Sequence, residues 1–439
     1  MEKSARKALG FWTTTALVTG NMVGSGIFLL PAALAMYGGI SITGWLLSCL
    51  GSLCLAYVFA SLSRRVKGSG GPYLYSRARF GDKVGYFVAW GYWFCIIAAN
   101  AAIAIALVSY LSVFIPELKD NALFSLMVTL FFVWLIVFIN LRGVKEAGRV
   151  QLISTVIKVI PLFAIASVGL FYLEPAHFSP WNLTEQSDFS AISATAALTM
   201  WAFLGLESAT IPADEVENPE KNVPRAAILG TLIAAAIYIP GTIAIMGLIP
   251  PEILAQSHAP FADAAAILWG NWAYYFIACI AVISCFGTLN GWTLCVAQVP
   301  MAVAKDGLFP QLFAQQSTRG VPAKGMILSS ALVSLLVMMN YSASLVEQFT
   351  FIILLSTLAT LLPYLVCSIA HFSLFIKDKK WHEINPLKST MSLFAICFSC
   401  WIIINIGLTT ILWGCVVLAA GLPVYILMRR AQRKALLVN

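Results

Sequence analysis

The sequence predicts an all-α polytopic membrane protein with about twelve transmembrane helices, and three observations carry that expectation. Of its 439 residues, 60% are hydrophobic and only 10% are charged, against roughly 25% charged in soluble domains. Apolar runs close to the ~20 residues that cross a bilayer core recur along the whole chain. The positive charges, finally, sit almost entirely in alternate loops.

Taken in order, the runs fall at about 11–36, 41–62, 84–113, 123–141, 149–173, 190–212, 225–249, 266–299, 325–341, 348–375, 390–406 and 408–428. Together they make a single transmembrane domain over 1–439. The short charged tail Met1–Lys7 precedes a span-length run without a small-residue cleavage site, so the first span reads as a retained helix and not a signal peptide. With the N-terminus in the cytoplasm, the cytoplasmic loops and their edges hold Arg64, Arg65, Lys67, Arg77, Arg79, Lys83, Arg142, Lys145, Arg149, Lys221, Arg225, Lys305, Arg319, Lys324, Lys377, Lys379, Lys380 and Lys388. The tails add Lys3, Arg6, Lys7, Arg429, Arg430, Arg433 and Lys434. Of the 27 Lys and Arg, only Lys119 falls in a loop assigned to the outside. The positive-inside rule therefore places both termini in the cytoplasm and explains the net charge of +8 without nucleic acid.

Other chemistries find no support. The ten cysteines stand singly in apolar surroundings, and the one close pair, Cys397 and Cys400, has no second pair to complete a zinc site. His177, His258, His371 and His382 lack metal-ligand spacing. No nucleophilic triad, phosphate loop or soluble insert suggests an enzyme, and no cofactor is expected.

Two spans are interrupted in a matching way. The first contains "GNMVGSG" (20–26) and the sixth "WAFLGLESAT" (201–210). Glycine costs about 1 kcal/mol relative to alanine inside a helix, and freed backbone groups are tolerated in lipid only where protein, water or ligand satisfies them. Gly-interrupted helices at corresponding positions of two inverted halves point to a transporter binding site. Spans one to five (about 11–173) and six to ten (about 190–375) are those halves, with two more helices at about 390–428. A helix N-terminus suits an anion, so the amides of Ser25, Gly26 and Ile27 are candidates for a substrate carboxylate. The sixth-span break offers carbonyls for an ammonium.

Glu207 is the acid placed near the middle of a span, where a charge costs about 2.5–3.5 kcal/mol on insertion scales. Three roles stay open for it: attracting a cationic substrate, carrying a coupling proton, or bonding neighbouring helices. Trp201 and Trp292 lie beside unusual glycine content; an indole face attracts a desolvated cation by about 2 kcal/mol, and the ring is bulky enough to gate. Asn100, among alanines, either joins helices or lines a pocket. Lys158, about two turns into the fifth span, either snorkels to the cytoplasmic face or sets an ammonium near the first span.

At these residues the chain resembles the amino acid–polyamine–organocation superfamily, and within it the basic amino acid/polyamine antiporters. The resemblance rests on "GNMVGSGIFLLPA" (20–32), "GGPYLYSRARFG" (70–81), "LTMWAFLGLESAT" (198–210), "VENPEKNVPRA" (216–226), "AKDGLFP" (304–310) and "LLPY" (361–364), and spans nearly the whole length. It implies a LeuT-type fold of two five-helix inverted repeats with broken helices 1 and 6 and two further helices, often dimeric, in a bacterial inner membrane. It also implies exchange of a cationic amino acid for its decarboxylated amine (arginine/agmatine, lysine/cadaverine or ornithine/putrescine), serving acid resistance or polyamine balance. By matched positions it implies that Asn21, Ser25 and Gly26 hold the carboxylate end and that Trp201 stacks on the cationic end as the gate nearest the substrate. Asn100, Leu204 and Ser356 would line the pocket, Trp292 would be the middle gate, and Tyr92, Glu207 and Tyr364 a deeper one.

Two departures qualify the match. The segments around Asn100 and "LTMWAFLGLES" are closer to ornithine/putrescine exchangers, whereas "SGIFLLPA" and "HAPFADAA" are closer to the arginine/agmatine type. Lys158 resembles instead the fifth-helix lysine that stands in for sodium in proton-coupled amino acid transporters of the superfamily, which makes proton-coupled uptake through Lys158, with Glu207, the alternative. A receptor on this fold would bind without flux. A channel would need a continuous polar pore, whereas the spans read as carrying isolated polar residues at two breaks and no polar stripe.

Overall fold

The computed structural model describes residues 9–339, 345–377 and 386–438. Lys3, Arg6, Lys7, Lys379, Lys380 and His382, and the last residues of the expected ninth span, lie outside them. Seventeen α-helices follow in order: α1 Phe11–Met22, α2 Ser25–Ala35, α3 Ser41–Arg65, α4 Pro72–Phe80, α5 Asp82–Leu111, α6 Glu117–Asp120, α7 Ala122–Asn140, α8 Val144–Gly169, α9 Asp188–Ala202, α10 Pro219–Leu248, α11 Pro251–Leu254, α12 Pro260–Trp269, α13 Asn271–Lys305, α14 Ala323–Met339, α15 Leu345–Lys377, α16 Pro386–Asn405 and α17 Leu408–Val438. Where water is absent a helix satisfies its own backbone, which is why apolar runs this long become helices and not strands. Asn121 caps α7 by accepting from Phe124 N–H at 3.0 Å, and Ser187 caps α9 by accepting from Ser190 N–H at 3.3 Å.

Among the described residues, nine helices are long and apolar enough to cross a membrane: Phe11–Ala35, Gly38–Arg65, Asp82–Leu111, Ala122–Asn140, Gly148–Tyr172, Pro219–Leu248, Asn271–Lys305, Phe349–Leu374 and Leu408–Ala431. Two shorter apolar helices, Ala323–Met339 and Ser389–Asn405, coincide with the expected spans at 325–341 and 390–406. The expected sixth span, 190–212, is the 15-residue α9, which unwinds after Ala202. The eighth begins later than expected: Gly270, at φ +85°, separates α12 from α13. Three residues beyond α9, Gly205 takes φ +112°, which a side chain rarely adopts. At the first break, a Cβ on Gly24 would lie 2.5 Å from the Thr288 side chain.

The two ends of the bundle are built differently. At the end near the chain start, Leu9 lies parallel to the segment after the sixth-span break, with Leu9 N–H donating to Glu215 O at 3.0 Å and Glu217 N–H to Leu9 O at 2.9 Å. Gly70 N–H donates to Ile211 O at 3.0 Å, and Asp214 N–H to Ser69 Oγ at 3.0 Å. Beside this clasp, Arg77 pairs with Asp82 at 2.8 Å and with Asp306 at 2.5 Å, while Tyr73 donates to Asp306 at 2.7 Å. At the opposite end a cavity of ≈ 940 Å³ runs between α2, α9 and α15, past Ala33, Ser190, Ala194, Leu198 and Leu354. Its lining reaches Leu198, one turn of α9 short of Trp201.

α3 and α9 meet at Gly44, where a Cβ would come 2.4 Å from Thr195 Oγ1 and 2.9 Å from the Ala196 backbone nitrogen. Ser48 then donates to Ala196 O at 2.9 Å. Gly44→Ala is expected to lower the melting temperature in detergent by the equivalent of about 1–3 kcal/mol. An unshifted transition would show that α3 and α9 separate without cost.

Candidate functional site

The two interruptions lie against each other. The first amides of α2 have no acceptor inside their own helix and mark the positive end of its dipole. Gly26 lets that end approach α9: a Cβ there would stand 3.2 Å from Ala202 Cα and 3.5 Å from Trp201 Cδ1. Ile27 is wholly buried beside it; the Ser25 side chain lies outside the described residues. Trp201 is 5% exposed, meets Phe349 with ring centroids 6.5 Å apart, and its indole N–H has no partner among the described residues. A buried donor left unpaired costs about 1–3 kcal/mol. One carbonyl of the α9 end is already taken: Tyr238 donates to Ala202 O at 3.0 Å.

Deeper in the break, the Glu207 carboxylate is fully buried. Tyr92 of α5 donates to Oε1, Tyr364 of α15 donates to Oε2, and Gly205 N–H donates to Oε2 at 3.2 Å. The three residues expected to form a deeper gate are therefore in direct contact, and of the roles left open for Glu207 the bonding of neighbouring helices is the one its partners display. Trp292 of α13 ties the breaks together, donating to Asn21 O at 3.1 Å while its ring would stand 3.2 Å from a Cβ on Gly205.

The expected pocket lining is more committed to helix contacts than the sequence suggested. Asn21 donates to Cys295 Sγ at 3.8 Å and accepts from Gln151 Nε2 at 3.4 Å. Asn100 donates to Ile96 O at 2.9 Å and accepts from Thr293 Oγ1 at 3.3 Å, joining α5 to α13. Ser356 donates to Cys95 O at 3.1 Å, joining α15 to α5, and Leu204 is 2% exposed.

Lys158 does not snorkel. It is wholly buried, and its Nζ donates to Gly20 O at 2.8 Å and Thr288 Oγ1 at 3.0 Å. Gly20 is in the last turn of α1, whose carbonyls have no intrahelical partner and attract a cation. Thr288 also donates toward Gly20 O at 2.8 Å, and Ser284 donates to Val23 O at 3.3 Å, so α13 supplies further donors to the broken end.

Sequence reading missed Gln151, Thr155, Tyr238, Thr288 and Cys295. For the first two a signal existed: Gln151, Ser154, Thr155 and Lys158 recur at helical spacing on one face of α8, and all four are buried. The expectation of isolated polar residues without a stripe is thereby corrected. Along the chain the four are separated by Leu152, Ile153, Val156 and Ile157, and only the helical period brings them to one face. Among the described residues, no group of three or more His, Cys, Asp or Glu could hold a metal.

A family model described as amino acid permease matches residues 9–425. The chain is 36% identical over 370 residues to a cadaverine/lysine antiporter of Escherichia coli K12, covering 82% of each protein. It is also 36% identical over 425 residues to the putrescine transporter PotE of Haemophilus influenzae, covering 95% of this chain and 96% of that one, and 33% identical over 433 residues to the putrescine transporter PotE of Escherichia coli K12, covering 97% of each.

Glu207→Gln replaces one acceptor oxygen with a donor and leaves a buried tyrosine hydroxyl without an acceptor, which costs about 1–3 kcal/mol. The melting temperature should fall accordingly, and Tyr92→Phe or Tyr364→Phe added to Glu207→Gln should recover part of the loss. Strictly additive losses in this cycle would show that the three side chains do not act as one network.

Proposed function

The chain belongs to the amino acid permease family, and from that premise we propose that it exchanges a cationic amino acid for its decarboxylated amine by alternating access. It is a membrane transporter and not an enzyme. In this reading twelve spans form two inverted five-helix halves, 11–173 and 190–375, with two further helices at 390–428. Both termini face the cytoplasm of a bacterial inner membrane, and two copies pair as a homodimer. The reading is supported above all by Gly26, which brings the start of α2 against Trp201, whose indole N–H has no partner among the described residues.

The substrate carboxylate accepts from the Ser25, Gly26 and Ile27 amides, with Asn21 at its flank. The distal cation stacks on Trp201, within a lining of Asn100, Leu204 and Ser356. Trp292 is the middle gate, and Tyr92, Glu207 and Tyr364 close the deeper one. An amine product has no carboxylate, so on its return the α2 amides are hydrated. The similarity to cadaverine/lysine and putrescine transporters favours a lysine- or ornithine-sized substrate with its diamine. Exporting the amine after internal decarboxylation removes a proton equivalent per cycle, which serves acid resistance or polyamine balance.

A second reading, proton-coupled amino acid uptake, is favoured by one observation: the Lys158 ammonium occupies the broken end of α1, where a monovalent cation would otherwise sit. There Lys158 carries the proton, with Glu207 as a second titrating group.

Trp201→Leu should weaken binding of lysine, ornithine and arginine by about 2 kcal/mol, roughly thirtyfold in Kd; unchanged calorimetric affinity would remove the stacking proposal. In proteoliposomes, strict exchange requires a substrate on the far side of the membrane. Labelled efflux that needs none but follows a proton gradient would select the second reading, and Lys158→Ala should then abolish the pH response.

A further inference from the structure

We propose that the polar face of α8 lines a water path through which the Lys158 ammonium exchanges its proton with the aqueous phase at the end bearing the Leu9 clasp. The inference rests on the proton-coupled reading and adds to it a route and a side. Gln151, Ser154, Thr155 and Lys158 occupy one face of α8, each buried against α1 or α13. Beyond Lys158 the same face continues as Leu162, Ile165 and Ala166, all buried and apolar. The polarity therefore runs from Lys158 toward the start of α8 only.

Glycines on the facing helices clear the space these side chains need. A Cβ on Gly20 would lie 2.1 Å from Gln151 Nε2 and 2.4 Å from Thr155 Oγ1, and one on Gly287 would lie 2.0 Å from Ser154 Oγ. A Cβ on Gly291 would lie 2.8 Å from Gln151 Oε1. That oxygen has no partner among the described residues, and neither does Asn140 Oδ1 at the end of α7, although both residues are only 1% exposed. Asn140 donates to Asn290 Oδ1 at 2.9 Å, next to Gly291 on α13. Two buried acceptors in one polar seam are what an internal water satisfies, since it donates two hydrogen bonds and needs two to four polar partners.

On the opposite side, the ≈ 940 Å³ cavity is lined by residues of α2, α9 and α15 and, among the described residues, by none of α8. Around Lys158 itself, α13 presents the Cys285 thiol and Thr288, and α1 presents the Gly20 carbonyl. On the other helices packed against α8, Tyr238 of α10 is bonded to Ala202 O, Asp263 of α12 accepts from Ser257, and α7 has no ionisable residue. The step is a simple transfer: the N–H bond of the ammonium breaks, its electron pair stays on Nζ, and the proton passes to water and along the seam.

The test uses the full chain in proteoliposomes with labelled lysine and labelled arginine as probes and a pH-sensitive dye inside. Proton-driven uptake, with no internal amino acid, is compared with exchange of internal for external lysine, which needs no net proton movement. Gln151→Leu and Thr155→Val should each lower the ratio of proton-driven uptake to exchange about tenfold and slow internal acidification equally, and Gln151→Glu should restore the ratio. A ratio unchanged in both apolar variants overturns the path while leaving Lys158 as carrier. Where wild-type protein shows no proton-driven uptake of either probe, the coupling reading fails separately. X-ray hydroxyl-radical labelling in ¹⁸O water, resolved to single residues, then judges the path: label on the buried Gln151, Ser154, Thr155 or Lys158, as distinct from the exposed Ile153, Val156 and Ile157, supports water there, and its absence from all four overturns it.

Discussion

An interrupted helix in an apolar surrounding must find partners for the backbone groups it frees, and this constraint organises the centre of the molecule. α1 stops at Met22, and its loose carbonyls are met by Lys158, Thr288, Ser284 and Trp292 from α8 and α13. α9 stops at Ala202, and its end is met by Tyr238 from α10, with Tyr92 and Tyr364 holding Glu207 just beyond. Each break is thus a junction where several helices are bound to one short, non-helical segment. The carbonyl ends are furnished by the protein itself. Among the described residues the Trp201 indole N–H, at the α9 side of the breaks, has no such partner.

Small residues set the distances at which this works. Gly20, Gly24, Gly26, Gly205, Gly287 and Gly291 all stand where a Cβ would press on a neighbour within 3.3 Å. They form a continuous clearance around α1, α2, α13 and the sixth-span break. Helix association in lipid has no hydrophobic drive of its own and relies on such close approach together with interhelical hydrogen bonds.

Much of this was legible in the sequence. The apolar runs announced the helices, and the glycine clusters announced both breaks to within a few residues, because composition alone makes those stretches poor helix. Glu207 stood out for the same reason, as a charge where charges are costly. Its two tyrosine partners came instead from resemblance, since Tyr92 and Tyr364 are 115 and 157 residues away in sequence and only folding brings them together. The α12–α13 boundary escaped because Gly270 sits inside a run that is apolar on both sides. Tyr238 and Thr288 escaped because a single hydroxyl in an apolar helix carries no periodic signal.

The clasp of Leu9, Ser69 and Gly70 onto the stretch 211–217 fastens one end of the bundle with four hydrogen bonds. When such bonds open at a wet surface they are replaced by bonds to water, so each contributes only about 0.5–1.5 kcal/mol net. The clasp as a whole then contributes about 2–6 kcal/mol, comparable to the few kcal/mol that separate interconverting states of a protein. In the proposed exchange cycle, a fastening of that strength would act as a toggle that the binding energy of a small cargo is large enough to tip.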